Sequence, residues 1–367
     1  MPQKIVRVIA TTAAMVGAAL GLAPAAQASQ ANHGSTGAVY VLGNQPSGNA
    51  VIAYDRGADG RLSSPRSYPT GGTGTGGGLG SQNAVVLDAS AHHLYAVNAG
   101  SDSITSFDVT GDGLRWRSTV PSGGDLPVSV TVRGNRVYAL NAGGTGNISG
   151  FTVHDGKLAP LPGSTRALSG DATSPAQVSF SPNGRELVVT EKATSLIDVY
   201  RLNGKGLSTG RTSFTSAGAT PFGFSFTPSG YLAVSEAGPS SASTYQISAQ
   251  GVKTVSAAVG NTEAAACWLI VTENGKYAYT GNGGGSQSIS GYRLSESGRL
   301  SLLTPDGRTG TAAAGVSDIA LSTSSRFLYA RLGNGTVGAY RVARDGGLDA
   351  LPVAGGLPAG AAGVAAR

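Results

Sequence analysis

Cysteine is almost absent. The 367 residues contain a single one, Cys267, so no intramolecular disulfide can form. The four histidines stand apart from it, and no Cys/His cluster has zinc-ligand spacing. Charge is sparse too, at 13% of residues, and the 26 Lys and Arg are scattered through the chain. Without a basic run or basic residues interleaved with aromatics, nucleic-acid binding is not expected. Standard hydrolase signatures are missing: no G-x-S-x-G elbow and no H-E-x-x-H. The glycine-rich stretch at 71–80 lacks the Gly-Lys-Ser/Thr of a phosphate loop, and it reads as a long connection between strands. Residues 108–113 hold two aspartates but lack the spacing and terminal Glu of a calcium loop. Past the N-terminus no apolar run is long enough to cross a bilayer.

What the chain has instead is glycine, 57 of them, and a sentence written seven times. Leu94-Tyr95-Ala96-Val97-Asn98 alternates as a strand, Ser106-Phe107-Asp108-Val109 alternates again, and Gly111-Asp112-Gly113 turns into Leu114. The aromatic of the second strand recurs at Tyr54, Phe107, Phe151, Tyr200, Tyr245, Tyr292 and Tyr340, a spacing close to 48 residues. An aliphatic follows each: Leu62, Leu114, Leu158, Leu207, Val252, Leu300 and Leu348. The preceding strand centres on Tyr40, Tyr95, Tyr138, Val188, Ala233, Tyr279 and Tyr329. Six of the seven units open with a further apolar run and a polar turn, as in Val178-Ser179-Phe180-Ser181-Pro182-Asn183-Gly184.

Four strands, a to d, at this period make a propeller blade. The expected fold is all-β: a seven-bladed β-propeller of four-stranded blades. The first unit lacks its own strand a, and Gly360-Ala361-Ala362-Gly363-Val364-Ala365-Ala366 supplies a candidate at the other end. The C-terminal strand is therefore expected to complete the N-terminal blade, closing the ring and removing an open edge.

Residues 1–28 read as a signal peptide. Lys4 and Arg7 form a basic start, an apolar stretch follows, and Ala26-Gln27-Ala28 gives an A-x-A cleavage site. Residues 29–37 form a tail and 38–367 the propeller. The mature protein is expected to be secreted, with no membrane anchor, as a monomer of net charge +4 once Lys4 and Arg7 leave the +6 total.

In a propeller the d–a and b–c connections share one face, here the loop face, and the a–b and c–d turns share the other, the turn face. Ligands are expected where the channel opens on the loop face. His92, His93 and His154 fall in turns of the other face and His33 in the tail, which disfavours a histidine base. At the loop-face end of strand b stand Gly43, Asn98, Asn141, Glu191, Glu236, Asn282 and Leu332. Two readings of this ring stay open. Its amides and carboxylates serve hydrogen bonds within the b–c loops. Alternatively Glu191 and Glu236 face the channel, where a carboxylate activates water or several cage a divalent cation. Lys192 offers a charge for an oxyanion, or is a solvated loop lysine. Gln177, Trp268 and Asp318 hold matching places at the start of strand a and are expected at the rim. Cys267 reads as a buried small hydrophobe. No cofactor is expected beyond that optional cation, and the expected partner is a small molecule.

The blade sentence with Leu94-Tyr95-Ala96-Val97-Asn98-Ala99-Gly100 and Asp112-Gly113-Leu114 resembles the lactonase-type seven-bladed propellers. These include bacterial 6-phosphogluconolactonases and fungal carboxymuconate lactonising enzymes. Ser174-Pro175-Ala176-Gln177 through Val188-Val189-Thr190-Glu191-Lys192 and Cys267-Trp268-Leu269-Ile270-Val271-Thr272 through Tyr279-Thr280-Gly281-Asn282 extend the likeness. The resemblance implies hydrolysis of a small lactone at the channel mouth. Characterised members look to use histidine and arginine there with acidic partners, often after a His-Pro-His-like element; Ser174-Pro175-Ala176-Gln177 has no histidine. Two functions follow as expectations. One is a lactone hydrolase using Glu191, Glu236 and Lys192, with Gln177, Trp268, Asn98, Asn141, Asn282 and Asp318 around the substrate. The other is a non-catalytic propeller binding a small molecule, glycan or protein on the loop face.

Overall fold

A computed structural model describes Met1, Pro2 and residues 36–367. The proposed signal peptide and most of the tail lie outside the described residues. From Gly37 onward the chain is entirely strands and turns, arranged as seven antiparallel sheets with strand a innermost. The first blade holds Gly37–Leu42, Ala50–Arg56 and Arg66–Pro69, and its strand a is Ala362–Ala366 from the far end of the chain. Val41 pairs with Val364 and Tyr40 with Ala365, so the ring closes as the repeat pattern implied.

The recurrent aromatics have a specific physical task. All seven strand-c aromatics are buried, with relative exposure of 3% or less. A buried tyrosine must place its hydroxyl on a partner, and in four blades that partner is a carbonyl on the blade before. Tyr54 donates to Gly355, Tyr200 to Ala167, Tyr292 to Val259 and Tyr340 to Thr311. Strand-b tyrosines reach the opposite way, into the c–d turn of the following blade. Tyr138 donates to Gly206, Tyr279 to Gly346 and Tyr329 to Gly60. Each accepting glycine has a positive φ, and a Cβ at Gly60 would lie 2.4 Å from the Phe327 ring. That close approach is why the c–d turns are glycine turns.

Two details differ from the sequence pattern. Leu62 makes only an isolated bridge to Arg56, and strand d of its blade begins later, at Arg66. Leu207 sits one residue before strand d of its blade. Both keep the aliphatic at the c–d corner, where the turn rather than the strand sets its place.

The inner ring is latched from blade to blade at one level. Ser129 Oγ accepts from the Val178 N–H of the next blade at 3.2 Å. The Gln177 carboxamide pairs with both the N–H and the C=O of Phe224, at 2.7 and 3.0 Å. The next residue in the series is Gly223, which has no side chain to give. Gln82 fills that notch from above: its Oε1 lies 2.0 Å from where a Gly223 Cβ would be. Its carboxamide then pairs with the N–H and C=O of Leu269, at 3.0 and 2.9 Å. Asp318 completes the closure, accepting from its neighbour Ile319 N–H and from Val364 N–H of the C-terminal strand. Burial pushes the Asp318 carboxyl well above the usual range, and the two N–H donors only partly offset it.

Gln82→Ala is expected to destabilise the fold by about 2–4 kcal/mol, because it orphans a buried N–H and C=O and leaves a void. Urea unfolding measures this. Gly223→Ala is expected to be at least as damaging, since the Gln82 carboxamide occupies its Cβ position.

Candidate functional site

On the loop face a segment of chain is fastened across the inner strands. Residues 79–82, the end of the glycine-rich connection, form this strap. Lys192 Nζ donates to the Gly80 carbonyl, and Trp268 Nε1 donates to the Ser81 carbonyl at 2.9 Å. Ser81 Oγ donates to Val128 O at 2.8 Å, and Gln82 N–H donates to Ala176 O. Phe222 lies beneath, with Lys192 Nζ 5.0 Å from its ring centre and Trp268 packed edge-on at 5.3 Å. Lys192 and Trp268 are therefore brought together, but as fasteners of the strap. Burial lowers the Lys192 pKa, with Cys267 acting weakly the other way. Burial pushes the Cys267 thiol up to about 11, which leaves it a poor nucleophile at neutral pH.

The ring of amides and carboxylates is sealed behind the loops. Asn98, Asn141, Glu191, Glu236 and Asn282 all have 0% relative exposure. Glu191 accepts from Ser169 N–H and Oγ and from Thr194 Oγ1. Glu236 accepts from Gly218 N–H and from the hydroxyls of Ser216, Ser241, Ser243 and Tyr245. Asn98 donates to Ser103 and Thr105, Asn141 to Asn147 and the Ser122 carbonyl, and Asn282 to Ser288 and Ser290. These side chains tie the end of strand b to its loops, and neither glutamate has a surface on the channel. Gln177 and Asp318 are occupied by the inner-ring latches. Among the described residues no group of three His, Cys, Asp or Glu could hold a metal ion.

A carboxylate that the sequence pattern did not single out lies beside Glu191. Asp198, on strand c, is wholly buried and takes a hydrogen bond from Ser213. Burial and the nearby Glu191 charge raise its pKa to about 6, against the Ser213 bond and Arg211. The folded state thus holds a proton that the unfolded chain, with an ordinary aspartate near 3.9, releases earlier. Its contribution to stability falls as pH rises from about 4 to about 6.

The cavity with the most inner-strand lining opens among the turns of the turn face. It holds about 900 Å³ and enters between the a–b turns of the third and fourth blades and the c–d turn of the fourth. Gln82 and Gln177 of the latches line it, with Ser179, Ser225 and Ile270 from the inner strands, and Phe180 and Phe226 supply apolar wall. Its lining includes Arg133, Arg136 and Arg185 and no Asp, Glu or His among the described residues. Arg136 is engaged by the Lys205 carbonyl and Asn135. Arg133 lies against Gly184, whose Cβ would stand 2.4 Å from its Nε. The guanidinium groups of Arg133 and Arg185 have no hydrogen-bond or ion-pair partner among the described residues and are solvent-exposed. Sequence reasoning passed over all three arginines, because each sits in an ordinary polar turn on the face where no site was expected.

His93, also set aside for its face, borders a second depression of about 940 Å³ between the second and third blades. Its Nδ1 is 2.9 Å from Asp88 and its Nε2 3.7 Å from Asp108, which Arg115 and Arg117 also flank. Asp88 in turn caps the a–b turn through Ser90 and the His92 and His93 N–H groups.

Asp198→Asn is expected to flatten the loss of stability between pH 4 and 6, by up to about 3 kcal/mol from a two-unit shift. Thermal unfolding of both proteins across that range measures it, and parallel curves would count against the assignment. Glu236→Gln, which removes an acceptor from a net of five donors, is expected to lower the urea midpoint at pH 7.

Residues 31–167 match the family model described as "Lactonase, 7-bladed beta-propeller". No curated protein matches the chain in sequence. Among solved structures, the periplasmic gluconolactonase of Pseudomonas aeruginosa superposes with a TM-score of 0.72 at 16% identity, covering 90% of this chain and 98% of that one. A Lactobacillus plantarum protein gives 0.72 at 18% identity, covering 90% and 99%. Kuenenia stuttgartiensis hydrazine synthase gives 0.60 at 16% identity, covering 82% and 95%. At these identities the superpositions speak for the fold alone. Together with the match over residues 31–167, the seven closed blades bear out the resemblance to the lactonase-type seven-bladed propellers.

Proposed function

We propose that the protein binds and hydrolyses a small hydroxylated lactone, and that the cavity on the turn face is where it does so. The observation that carries this is an open cavity of mixed polar and apolar lining that holds two guanidinium groups with no partner among the described residues, and no carboxylate. The family-model match supports a lactone as the ligand class. Amides and hydroxyls on the wall suit a polyhydroxylated ring, and guanidinium suits the oxygen that gains charge.

Hydrolysis adds water to the ring carbonyl, breaks the ring C–O bond and leaves a carboxylate and a hydroxyl. Arg133 and Arg185 favour the tetrahedral oxyanion and the product carboxylate. No side chain of the lining is a general base at neutral pH, so the attacking water loses its proton to solvent or to the departing ring oxygen. Such a site accelerates by electrostatics alone, which suits an ester already strained by its ring. The same missing base favours a second reading, in which the cavity binds the ligand without turning it over. We also propose that the protein is exported after cleavage following Ala28, on the strength of the N-terminal pattern.

A pH-stat assay of aldonolactones tests the first reading. The native protein is expected to hydrolyse at least one of them, and Arg133→Ala with Arg185→Ala to lower kcat/KM at least tenfold with the unfolding midpoint unchanged. No turnover on any lactone, with binding of the lactone or its hydroxy acid by calorimetry, would leave the binding reading in its place.

A further inference from the structure

The cavity does not end at its rim. The depression between the second and third blades shares Gly134 and Asn135 with it. A depression of about 250 Å³ between the fourth and fifth blades shares Ser181, Pro182, Asn183 and Phe226. A third, of about 320 Å³, shares Asn183, Arg185 and Leu202. A single-ring ligand needs only the central cavity. Depressions that border it on several sides, set off from it only by shared turn residues, fit a ligand that continues over the rim beyond one ring.

The free charge at the centre of these depressions is positive. Arg133 and Arg185 stand unpaired at the junction. Outward, Asp108 is matched by Arg115 and Arg117 and Glu186 by Arg201, while Asp88 and Asp155 pair only with the histidines His93 and His154. The loop face is the reverse, its connections holding Asp102, Asp125, Asp171, Glu263 and Asp306 against Lys192 and Arg308. The positive excess of the described residues therefore does not lie in the loop face. An anionic chain would be guided to the turn face and repelled from the loop face.

We propose that the turn face binds an anionic glycan, with a terminal sugar in the channel cavity and the following units over the bordering depressions. Polar turn amides such as Asn135, Asn183 and Asn203 supply hydroxyl partners, and Arg133 and Arg185 hold the carboxylate or phosphate of the terminal units. Phe180 and Phe226 in the cavity wall would also offer a base a stacking face, so nucleic acid is carried as an arm of the test. The inference rests on the cavity being a site for a hydroxylated ring, and adds that the ligand extends beyond it.

The test is equilibrium binding of the purified protein to polygalacturonate, a phosphate-bearing polyol polymer, neutral dextran and single-stranded DNA, at two salt concentrations. Binding to one of the anionic glycans but not to dextran is expected, weakening with salt and at least tenfold weaker in the Arg133→Ala, Arg185→Ala protein. Arg308→Ala, on the loop face, is expected to leave it unchanged. The two anionic polymers distinguish carboxylate from phosphate. Equal binding to dextran, tighter binding to DNA, no binding, or indifference to the double substitution overturns the proposal. Because the polymers are scored by binding, lactone turnover without glycan binding sinks only this inference, and glycan binding without turnover sinks only the hydrolase reading.

Discussion

Everything in this ring depends on how one blade is fixed to the next. Each sheet is an ordinary four-stranded meander, and apolar contact between flat faces is indifferent to small slides. Hydroxyl-to-carbonyl bonds are not indifferent. Tyr200 reaches back to Ala167 while Tyr138 reaches forward to Gly206, so the third and fourth blades are held by two directional bonds of opposite sense. A missing partner would strand a buried polar atom, which makes the blade angle a matter of kilocalories rather than tenths. The glycine turns follow from the same constraint, since only a residue without Cβ lets the neighbouring strand come so close.

A second layer of inter-blade bonds lies at the channel. Ser129, Gln177 and Asp318 each serve an amide on the following blade. Where Gly223 interrupts this series, the chain repairs it with a side chain from another blade. The carboxamide that fills the gap in the series is thus carried by the same strap that Lys192 and Trp268 fasten.

The repeat was legible because it is local: a strand period, an aromatic and a turn recur within reach of one another in the chain. The course of the strap was not. It is decided by Gln82 meeting Leu269, residues 187 apart in sequence, with nothing in the dipeptide Ser81-Gln82 to announce it. The ring of Asn98, Asn141, Glu191, Glu236 and Asn282 could be read at the right height, but height is common to a channel residue and a loop fastener. What separates them is direction, and the hydroxyls of Ser216, Ser241 and Ser243 that gather around Glu236 come from other strands and loops. Asp198 was invisible for a similar reason, since its pKa is set by burial and by Glu191 and not by its own sequence neighbours.

The fate of the carboxylates bears on what chemistry the protein can do. A general base needs an ionised or ionisable group with access to water. Here the buried carboxyls, Glu186, Glu191, Asp198, Glu236 and Asp318, are spent on turns, loops, strands and ring closure. Of the three arginines that line the open cavity, Arg133 and Arg185 are left without a partner among the described residues. A fold that consumes its acids internally and presents guanidinium to the ligand favours negative charge, whether on a transition state, a product or an anionic chain. Positive electrostatics, rather than proton transfer, is the resource that this architecture leaves in that cavity.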